Sequence, residues 1–199
     1  MASNTAVNTL KSVVERHMQD ATYFSPRAML EEGFVEASRT IYEKSHVPGS
    51  EYQGMGTTLV AAFFHEDTLY FANVGDSRAY LFNKDHMWQI TEDHSLLNEH
   101  IKAGLIKDSE AENFQSKNVI TRSVGFEREV RCDIFQRKVA PGDRYLLCSD
   151  GLSGLVTDRM IHQLCKSSSN QEAVDVCIEE AKKNGGDDNI TVVVLSVES

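Results

Sequence analysis

Three aspartates beside small residues are the side chains in this sequence best placed to do chemistry together. Asp150 lies within CSDGL (residues 148–152), directly after an apolar segment, and Asp188 lies within GDDNI (residues 186–190), directly before one. If these segments form neighbouring antiparallel strands, the end of the first lies beside the start of the second. We therefore expect Asp150 and Asp188 to converge on one rim of a sheet, within reach of Asp76 in a predicted turn.

Carboxylates that are held close together repel one another and cannot all remain ionised without compensation. A hard divalent cation removes this repulsion, and oxygen ligands completed by water suit Mg²⁺ or Mn²⁺. Aspartate next to glycine is also one of the commonest pairs in turns, where the backbone conformation alone selects it. For each single aspartate the sequence leaves open a metal role and a turn role, whereas the three together favour a metal site.

Composition and charge exclude several classes of function. The 199 residues carry a formal net charge of −10, whereas binding to nucleic acid or to an anionic membrane needs clustered lysine and arginine. No apolar run reaches the length of a membrane span, and residues 1–10 lack the pattern of a signal peptide. We therefore predict a cytoplasmic protein that binds neither nucleic acid nor a membrane.

The sequence also lacks the usual motifs of nucleotide binding and covalent catalysis. It contains no GxxxxGK[ST] loop, no GxSxG turn and no HExxH motif. No cysteine belongs to a CxxC pair or is followed at the sixth position by arginine, as a cysteine-dependent phosphatase requires. We expect reduced, packed thiols at Cys132, Cys148, Cys165 and Cys177. His94 and His100 lack metal-ligand spacing, and each is expected to be a surface or packing residue.

Apolar spacing predicts the order of helices and strands. Two helices come first, one along residues 7–18 and one that begins after Ser25-Pro26 and ends before Pro48-Gly49. Residues 68–73 and 78–82 are predicted to form a hairpin around the turn that contains Asp76. Further strands are predicted at residues 57–64, 87–91, 119–122, 130–139, 144–149 and 190–197, the last covered on both faces.

Three more helices and one irregular segment complete this prediction. The helices are residues 95–103, residues 158–166 capped by Thr157, and residues 171–183 capped by Asn170. The irregular segment is residues 108–117, which are polar. Helices that are segregated from many antiparallel-type strands indicate an α+β domain with helices on the outer faces of a sheet or sandwich.

Six short motifs follow one another along most of the chain: GTT (56–58), NVGDSR (73–78), TEDHS (91–95), VITRSVG (119–125), SDGL (149–152) and DDNIT (187–191). In this order they resemble the motifs of the PPM-type (protein phosphatase 2C) metal-dependent serine/threonine phosphatases in their compact bacterial form. The resemblance implies an α-β-β-α sandwich, in which two packed antiparallel sheets are flanked by helix pairs. It further implies a two-metal centre and a possible third ion.

The resemblance also assigns roles to individual residues. The aspartates that match Asp150 and Asp188 bind one metal of the centre, and the aspartate that matches Asp76 helps Asp150 to hold a third, weaker metal. Residues 108–117 correspond to a flap that influences substrate choice. In this family two divalent ions activate a water that attacks phosphorus in line, and the substrate is a protein carrying phosphoserine or phosphothreonine, with a cognate kinase as a possible partner.

One family feature has no counterpart in this sequence. The resemblance leads us to expect first strands with a phosphate-binding arginine, followed by an Asp-Gly-x-Gly-Gly turn with the bridging metal ligand, and neither precedes residues 1–6. Glu15 and Asp20 lie on or beyond the first predicted helix and match no motif of the family, so they do not replace these residues. We therefore expect one phosphatase domain over residues 1–199, truncated at its N-terminus. We also expect impaired turnover and self-association through strand edges left without neighbours.

Two alternatives to an impaired phosphatase remain open on sequence grounds. The first is a non-catalytic family member that acts as a phosphoprotein-binding or regulatory module. The second, more remote, is an unrelated sandwich-type binding domain whose aspartates only form turns. Arg78 and Arg122 could bind phosphate, but each belongs to a strand motif, and a structural ion pair is the favoured interpretation.

Overall fold

The computed structural model describes residues 1–19, 24–49, 51–116 and 119–198. Asp20 and the last residue of the predicted flap, Lys117, lie outside these described residues. The chain divides into two compact units. Unit 1 comprises residues 1–59, 72–76 and 93–134, and unit 2 comprises residues 60–71, 77–92 and 135–199.

Two long helices begin unit 1, as the apolar spacing predicts. Helix α1 covers Ala2–Gln19 and helix α2 covers Pro26–Ser45. The Ser25 hydroxyl caps α2 by accepting the Ala28 N–H at 3.3 Å, and proline at the first helical position has no N–H to leave unsatisfied. The two helices pack against each other through fully buried apolar side chains that include Val13 and Phe34.

The rest of unit 1 differs from the prediction at two segments. Helix α3 (Leu96–Lys102) is capped by Ser95, and a 3₁₀ helix (Asp108–Asn113) occupies much of the predicted irregular segment. The predicted strand at residues 119–122 is wrong, because only an isolated bridge joins Ile120 to Ser95. A single bridge satisfies too few backbone groups to extend into a ladder.

The described residues form two antiparallel sheets. Their strands are β1 (Leu59–His65), β2 (Thr68–Val74), β3 (Arg78–Phe82), β4 (Met87–Gln89), β5 (Asp133–Lys138), β6 (Arg144–Cys148) and β7 (Val192–Ser196). The three-stranded sheet has the order β1-β2-β5, and the four-stranded sheet has the order β4-β3-β6-β7. This arrangement confirms the predicted mixed fold with two antiparallel sheets.

The predicted hairpin around Asp76 is wrong. β2 lies between β1 and β5 in one sheet, whereas β3 lies between β4 and β6 in the other, so the two strands are not neighbours. Both edges of β3 are taken by β4 and β6 in antiparallel register, which leaves no edge for β2. The connection that contains Asp76 therefore passes from one sheet to the other and does not reverse the chain within one sheet.

Two apolar clusters hold unit 2 together. Between the sheets, Phe71 of β2 packs against Tyr145 of β6 with ring centroids 5.5 Å apart. On the other face of the four-stranded sheet, residues such as Leu146 pack against helices α4 (Asp150–Ser153), α5 (Asp158–Cys165) and α6 (Asn170–Lys183). Fully burying one such large apolar side chain contributes about 1.5–3 kcal/mol.

All four cysteines are buried free thiols, which confirms the packing role predicted for them. Cys148, Cys165 and Cys177 belong to the cluster between the four-stranded sheet and the helices. The Sγ atoms of Cys165 and Cys177 lie 3.5 Å apart across α5 and α6. In this cluster the thiols act as small apolar side chains.

Strands β6 and β7 pair antiparallel with Cys148 opposite Val192. The contact continues beyond the strands, because the Ser149 N–H donates to the Thr191 carbonyl at 3.1 Å and the Thr191 N–H donates to the Ser149 hydroxyl at 3.0 Å. A Cβ atom built on Gly151 would overlap the backbone oxygen of Asn189. The end of β6 and the turn before β7 are therefore in close contact.

The first prediction concerns the start of α6, where the structure corrects the predicted cap. The cap is Ser169 and not Asn170, since the Ser169 hydroxyl accepts the Glu172 N–H and the Glu172 carboxylate accepts the Ser169 N–H. We expect Ser169→Ala to lower the free energy of unfolding by about 1 kcal/mol, measured by urea denaturation. The matched control is Ser167→Ala at an exposed site in the same loop, and an equal loss in both variants would contradict this assignment.

The second prediction concerns the contact between Gly151 and Asn189. We expect Gly151→Ala to destabilise the protein by roughly 1–3 kcal/mol, because the added methyl must displace backbone atoms and not a flexible side chain. Urea denaturation measures the loss. An unchanged midpoint would mean that the two segments are not in the contact described.

Candidate functional site

Asp150 and Asp188 lie at the same end of the β6–β7 pair in unit 2. Asp150 is the first residue of α4, directly after β6, and Asp188 lies in the turn that leads to β7. Both residues are exposed, and Oδ1 of Asp188 accepts the N–H of the next residue, Asn189, at 2.6 Å. The expected antiparallel pairing of their two segments is confirmed, and it brings two carboxylates to neighbouring strand ends.

Ser149 joins the two backbone segments that carry these aspartates. Its hydroxyl donates to the Asn189 carbonyl at 2.9 Å and accepts the Thr191 N–H at 3.0 Å. The residues directly after Asp188 are therefore tied to the residue directly before Asp150. Both carboxylates project from backbone that hydrogen bonds hold in place, and neither lies on a loose loop.

Asp76 lies in unit 1, in the connection that follows β2. The residue is half-buried, and its Oδ1 atom is shielded from solvent. The preceding residue, Gly75, has φ = +106°, and a Cβ atom there would overlap the side chain of Thr58. Only glycine satisfies both requirements, so the backbone just before Asp76 is specified by the absence of a side chain.

His94 forms two hydrogen bonds with the backbone of Gly75 in this connection, one through its ring and one through its own N–H. The Gly75 N–H donates to Nδ1 of His94 at 3.0 Å, and the His94 N–H donates to the Gly75 carbonyl at 3.0 Å. The His94 side chain is only 7% exposed. The sequence pattern predicts a surface or packing role for His94 and does not reveal this contact, because it joins residues 19 positions apart.

The other side of the His94 ring faces an ion pair. Nε2 of His94 lies 3.2 Å from Oδ2 of Asp133, and Nη1 of Arg122 lies 2.9 Å from Oδ1 of the same carboxylate. Nη1 of Arg122 also lies 3.0 Å from Nε2. Because Nδ1 accepts the Gly75 N–H, the neutral ring carries its proton on Nε2 and donates it to Asp133.

The pKa values of these groups agree with a neutral histidine beside an ionised carboxylate. Burial lowers the pKa of His94 below its usual 6.5, and this effect outweighs the opposing influence of Asp133. Burial alone would raise the pKa of Asp133, but the hydrogen bonds from His94 and Arg122 more than offset it, so the pKa of Asp133 is lowered. Protonation of Nδ1 would remove the acceptor for the Gly75 N–H.

Arg78 and Arg122 both form ion pairs, which confirms the structural interpretation favoured over phosphate binding. Arg122 pairs with Asp133 in unit 1. In unit 2, Nη1 of Arg78 lies 3.5 Å from Oδ1 of Asp158, which also accepts the hydroxyl of Tyr80 at 3.0 Å. Each guanidinium therefore has a structural partner.

The donor chemistry at the predicted site residues fits a hard divalent cation. Asp76, Asp150 and Asp188 offer carboxylate oxygens, the ligands that Mg²⁺ and Mn²⁺ prefer. Among the residues that the structure describes, no three histidine, cysteine, aspartate or glutamate side chains are grouped closely enough to hold an ion by themselves. Metal ligation by these three aspartates therefore stays a prediction.

Within the same described residues, no helix is both long and apolar enough to cross a membrane.

The sequence matches a known family model and several curated relatives. Residues 1–100 match the model of protein phosphatase 2C. The serine/threonine phosphatase stp of Listeria innocua is 37% identical over 198 residues, which cover 98% of this chain and 77% of that protein. Protein phosphatase PhpP of Streptococcus pneumoniae is 36% identical over 158 residues, which cover 78% of this chain and 64% of that protein.

Solved structures show the same fold. The Mycobacterium tuberculosis serine/threonine phosphatase PstP/Ppp superposes with a TM-score of 0.88 at 31% identity, covering 100% of this chain and 83% of that one. The catalytic domain of PstP in complex with two manganese ions gives a TM-score of 0.83 at 32% identity, covering 98% and 82%. The chain described here belongs to the protein phosphatase 2C family, as a compact bacterial PPM-type serine/threonine phosphatase.

Proposed function

We propose that the site of this chain hydrolyses phosphoserine and phosphothreonine in proteins with a metal-activated water, and that Asp76, Asp150 and Asp188 are metal ligands. The observation that carries this proposal is the β6–β7 pairing, which brings Asp150 and Asp188 to adjacent strand ends. A shared cation is the usual way in which proteins hold carboxylates close together, because it removes the repulsion between them.

The proposed cofactor is Mg²⁺ or Mn²⁺, in a two-metal centre with a third ion. The oxygen donors support a hard cation, and a structural relative holds two manganese ions. When bound, such ions supply an activated water and neutralise the charge that develops on the phosphoryl group. The part of this chain's own residues is to hold the ions: Asp150 and Asp188 offer oxygens, and Ser149 keeps the two carrying segments together.

The cysteines support a water nucleophile over a thiol nucleophile. A thiol attacks phosphorus as a thiolate, which requires exposure and a low pKa. All four cysteines are buried, and burial raises the pKa of Cys132 to about 11 and that of Cys148 to about 12. Cys165 and Cys177 are completely shielded from solvent within the α5–α6 packing.

Further parts of this proposal concern partners and location. The relatives are protein phosphatases, which supports a phosphorylated protein as substrate, and a cognate serine/threonine kinase is the proposed opposing enzyme. The proposed location is the cytoplasm. Because β4 and β7 end one sheet and β1 and β5 end the other, strand edges are the proposed sites of self-association.

We also propose that a polypeptide of these 199 residues is one PPM-type domain with weak activity of its own. The sequence contains no Asp-Gly-x-Gly-Gly motif, the turn that carries the bridging metal ligand in this family. Without a bridging carboxylate, two like-charged ions would repel each other more strongly. Slow, metal-dependent turnover is therefore the expected behaviour.

The third prediction tests the aspartates by phosphate release from a phosphothreonine peptide with Mn²⁺. We expect slow release that chelation abolishes, and we expect Asp150→Asn and Asp188→Asn each to reduce it by at least roughly 10-fold, because each removes a charged ligand. The matched control is Asp187→Asn, which removes the same charge from the exposed neighbouring residue and should leave the rate within about twofold of wild type.

Three results would contradict parts of this proposal. Equal loss in Asp187→Asn and Asp188→Asn would show a general charge effect and not ligation. Peptide binding without hydrolysis and without metal dependence would favour the non-catalytic, phosphoprotein-binding alternative. Rapid turnover that Asp150→Asn abolishes would support the phosphatase activity but refute the expected impairment.

A further inference from the structure

We propose that His94 is a positioning residue that holds the Gly75-Asp76 connection in the conformation in which Asp76 binds metal. This inference rests on the proposed role of Asp76 as a metal ligand. It does not make His94 a ligand or a proton carrier for the reaction. It assigns to His94 the task of fixing the backbone from which a ligand side chain projects.

The contact between His94 and Gly75 has the geometry expected of a residue that positions the backbone. His94 engages both polar backbone atoms of Gly75, since Nδ1 accepts the Gly75 N–H and the His94 N–H donates to the Gly75 carbonyl, each at 3.0 Å. The side-chain amide of Asn73 donates to the same carbonyl at 3.2 Å. Two opposed hydrogen bonds fix the orientation of the peptide groups on either side of Gly75, and Asp76 is the next residue.

Gly75 needs such an external restraint. With φ = +106° and no room for a Cβ atom beside Thr58, the position requires glycine. Glycine, however, has the widest conformational freedom of any residue and does not select this conformation by itself. Metal ligands must be held within about 0.5 Å of the productive geometry, so a partner has to select the conformation that the glycine permits.

His94 is itself held at its ring and at its backbone. Its Nε2–H faces Oδ2 of Asp133, and Oδ1 of the same carboxylate accepts from Nη1 of Arg122. Its backbone carbonyl accepts the N–H of Thr121 at 2.9 Å. The carboxylate fixes the ring tautomer, so that Nδ1 remains free of a proton and can accept from Gly75. The row Arg122–Asp133–His94–Gly75 thus leads from an ion pair to the residue before Asp76.

Two near-isosteric variants of His94 distinguish the contribution of its Nδ1 contact from that of its Nε2 contact. In His94→Asn the side-chain oxygen occupies the place of Nδ1, so the acceptor for the Gly75 N–H is kept and the contact with Asp133 is lost. In His94→Gln the amide group reaches the place of Nε2, so the contact with Asp133 is kept and the acceptor is lost. His94→Ala loses both, and His86→Ala at an exposed site is the neutral control.

The fourth prediction is the effect of these variants on Mn²⁺ binding to the full chain, measured by electron paramagnetic resonance of free Mn²⁺. We expect His94→Ala and His94→Gln to weaken binding roughly 10-fold, the loss typical of an outer partner of a metal ligand. We expect His94→Asn to stay within about threefold of wild type. Asp76→Asn is measured in parallel, and it should weaken binding at least as much as His94→Gln.

A second measurement needs no metal. Amide hydrogen exchange of Gly75, followed by NMR in the metal-free protein, should be slow in wild type and His94→Asn and at least roughly 10-fold faster in His94→Gln. The ¹⁵N shifts of His94 should show the proton on Nε2. If His94→Ala does not fold, the comparison of His94→Asn with His94→Gln still tests whether His94 positions Gly75.

The outcomes separate this inference from the proposed function. If Asp76→Asn weakens Mn²⁺ binding and His94→Gln does not, Asp76 is a ligand but His94 does not position it, and the inference is refuted. If Asp76→Asn leaves binding unchanged, Asp76 is not a ligand, and both the inference and that part of the proposed function fail. Equal loss in the asparagine and glutamine variants would show that His94 only fills space.

Discussion

The antiparallel pairing of β6 with β7 is the constraint on which the rest of unit 2 depends. Its register places Leu146 opposite Val194 in the cluster under the helices and Tyr145 opposite Leu195 in the cluster between the sheets. A shift by one residue would turn every side chain of β7 to the opposite face. The same shift would move the segment that carries Asp188 by about 3.3 Å relative to Asp150, so the packing that stabilises the sheet also sets the relative position of the two aspartates.

Much of this arrangement could be predicted from local sequence patterns. The first two helices, the positions of β6 and β7, and the antiparallel pairing of these two strands follow from apolar spacing and from aspartate next to glycine at strand ends. Such patterns report which face of an element is buried. They are therefore strongest where a segment packs against the core along its whole length.

The sequence was misleading where long-range contacts decide the structure. Two strands around a short Gly-Asp-Ser turn suggest a hairpin, yet β2 and β3 lie in different sheets because β4 and β6 occupy both edges of β3. The role of His94 was hidden for the same reason, since its partners Gly75 and Asp133 are 19 and 39 positions away. Motifs name such residues, but only the fold shows what they contact.

The hairpin error has a physical consequence for Asp76. In a hairpin, the two paired strands fix the turn between them through cross-strand hydrogen bonds. A connection between two sheets has no such support from its own flanking strands, and this one contains a glycine with wide conformational freedom. Another segment of the chain must therefore supply the restraint, and His94 does so, because its Nδ1 accepts the Gly75 N–H and its own N–H donates to the Gly75 carbonyl.

A neutral imidazole is well suited to this position. A lysine or arginine could not accept the Gly75 N–H, and an aspartate or glutamate would place a further negative charge close to Asp133 and one residue from Asp76 in a chain whose net charge is already −10. Burial keeps the pKa of His94 low, so the ring accepts from Gly75 without adding charge. This arrangement depends on the tautomer of His94, which the ionised Asp133 fixes by accepting the Nε2–H.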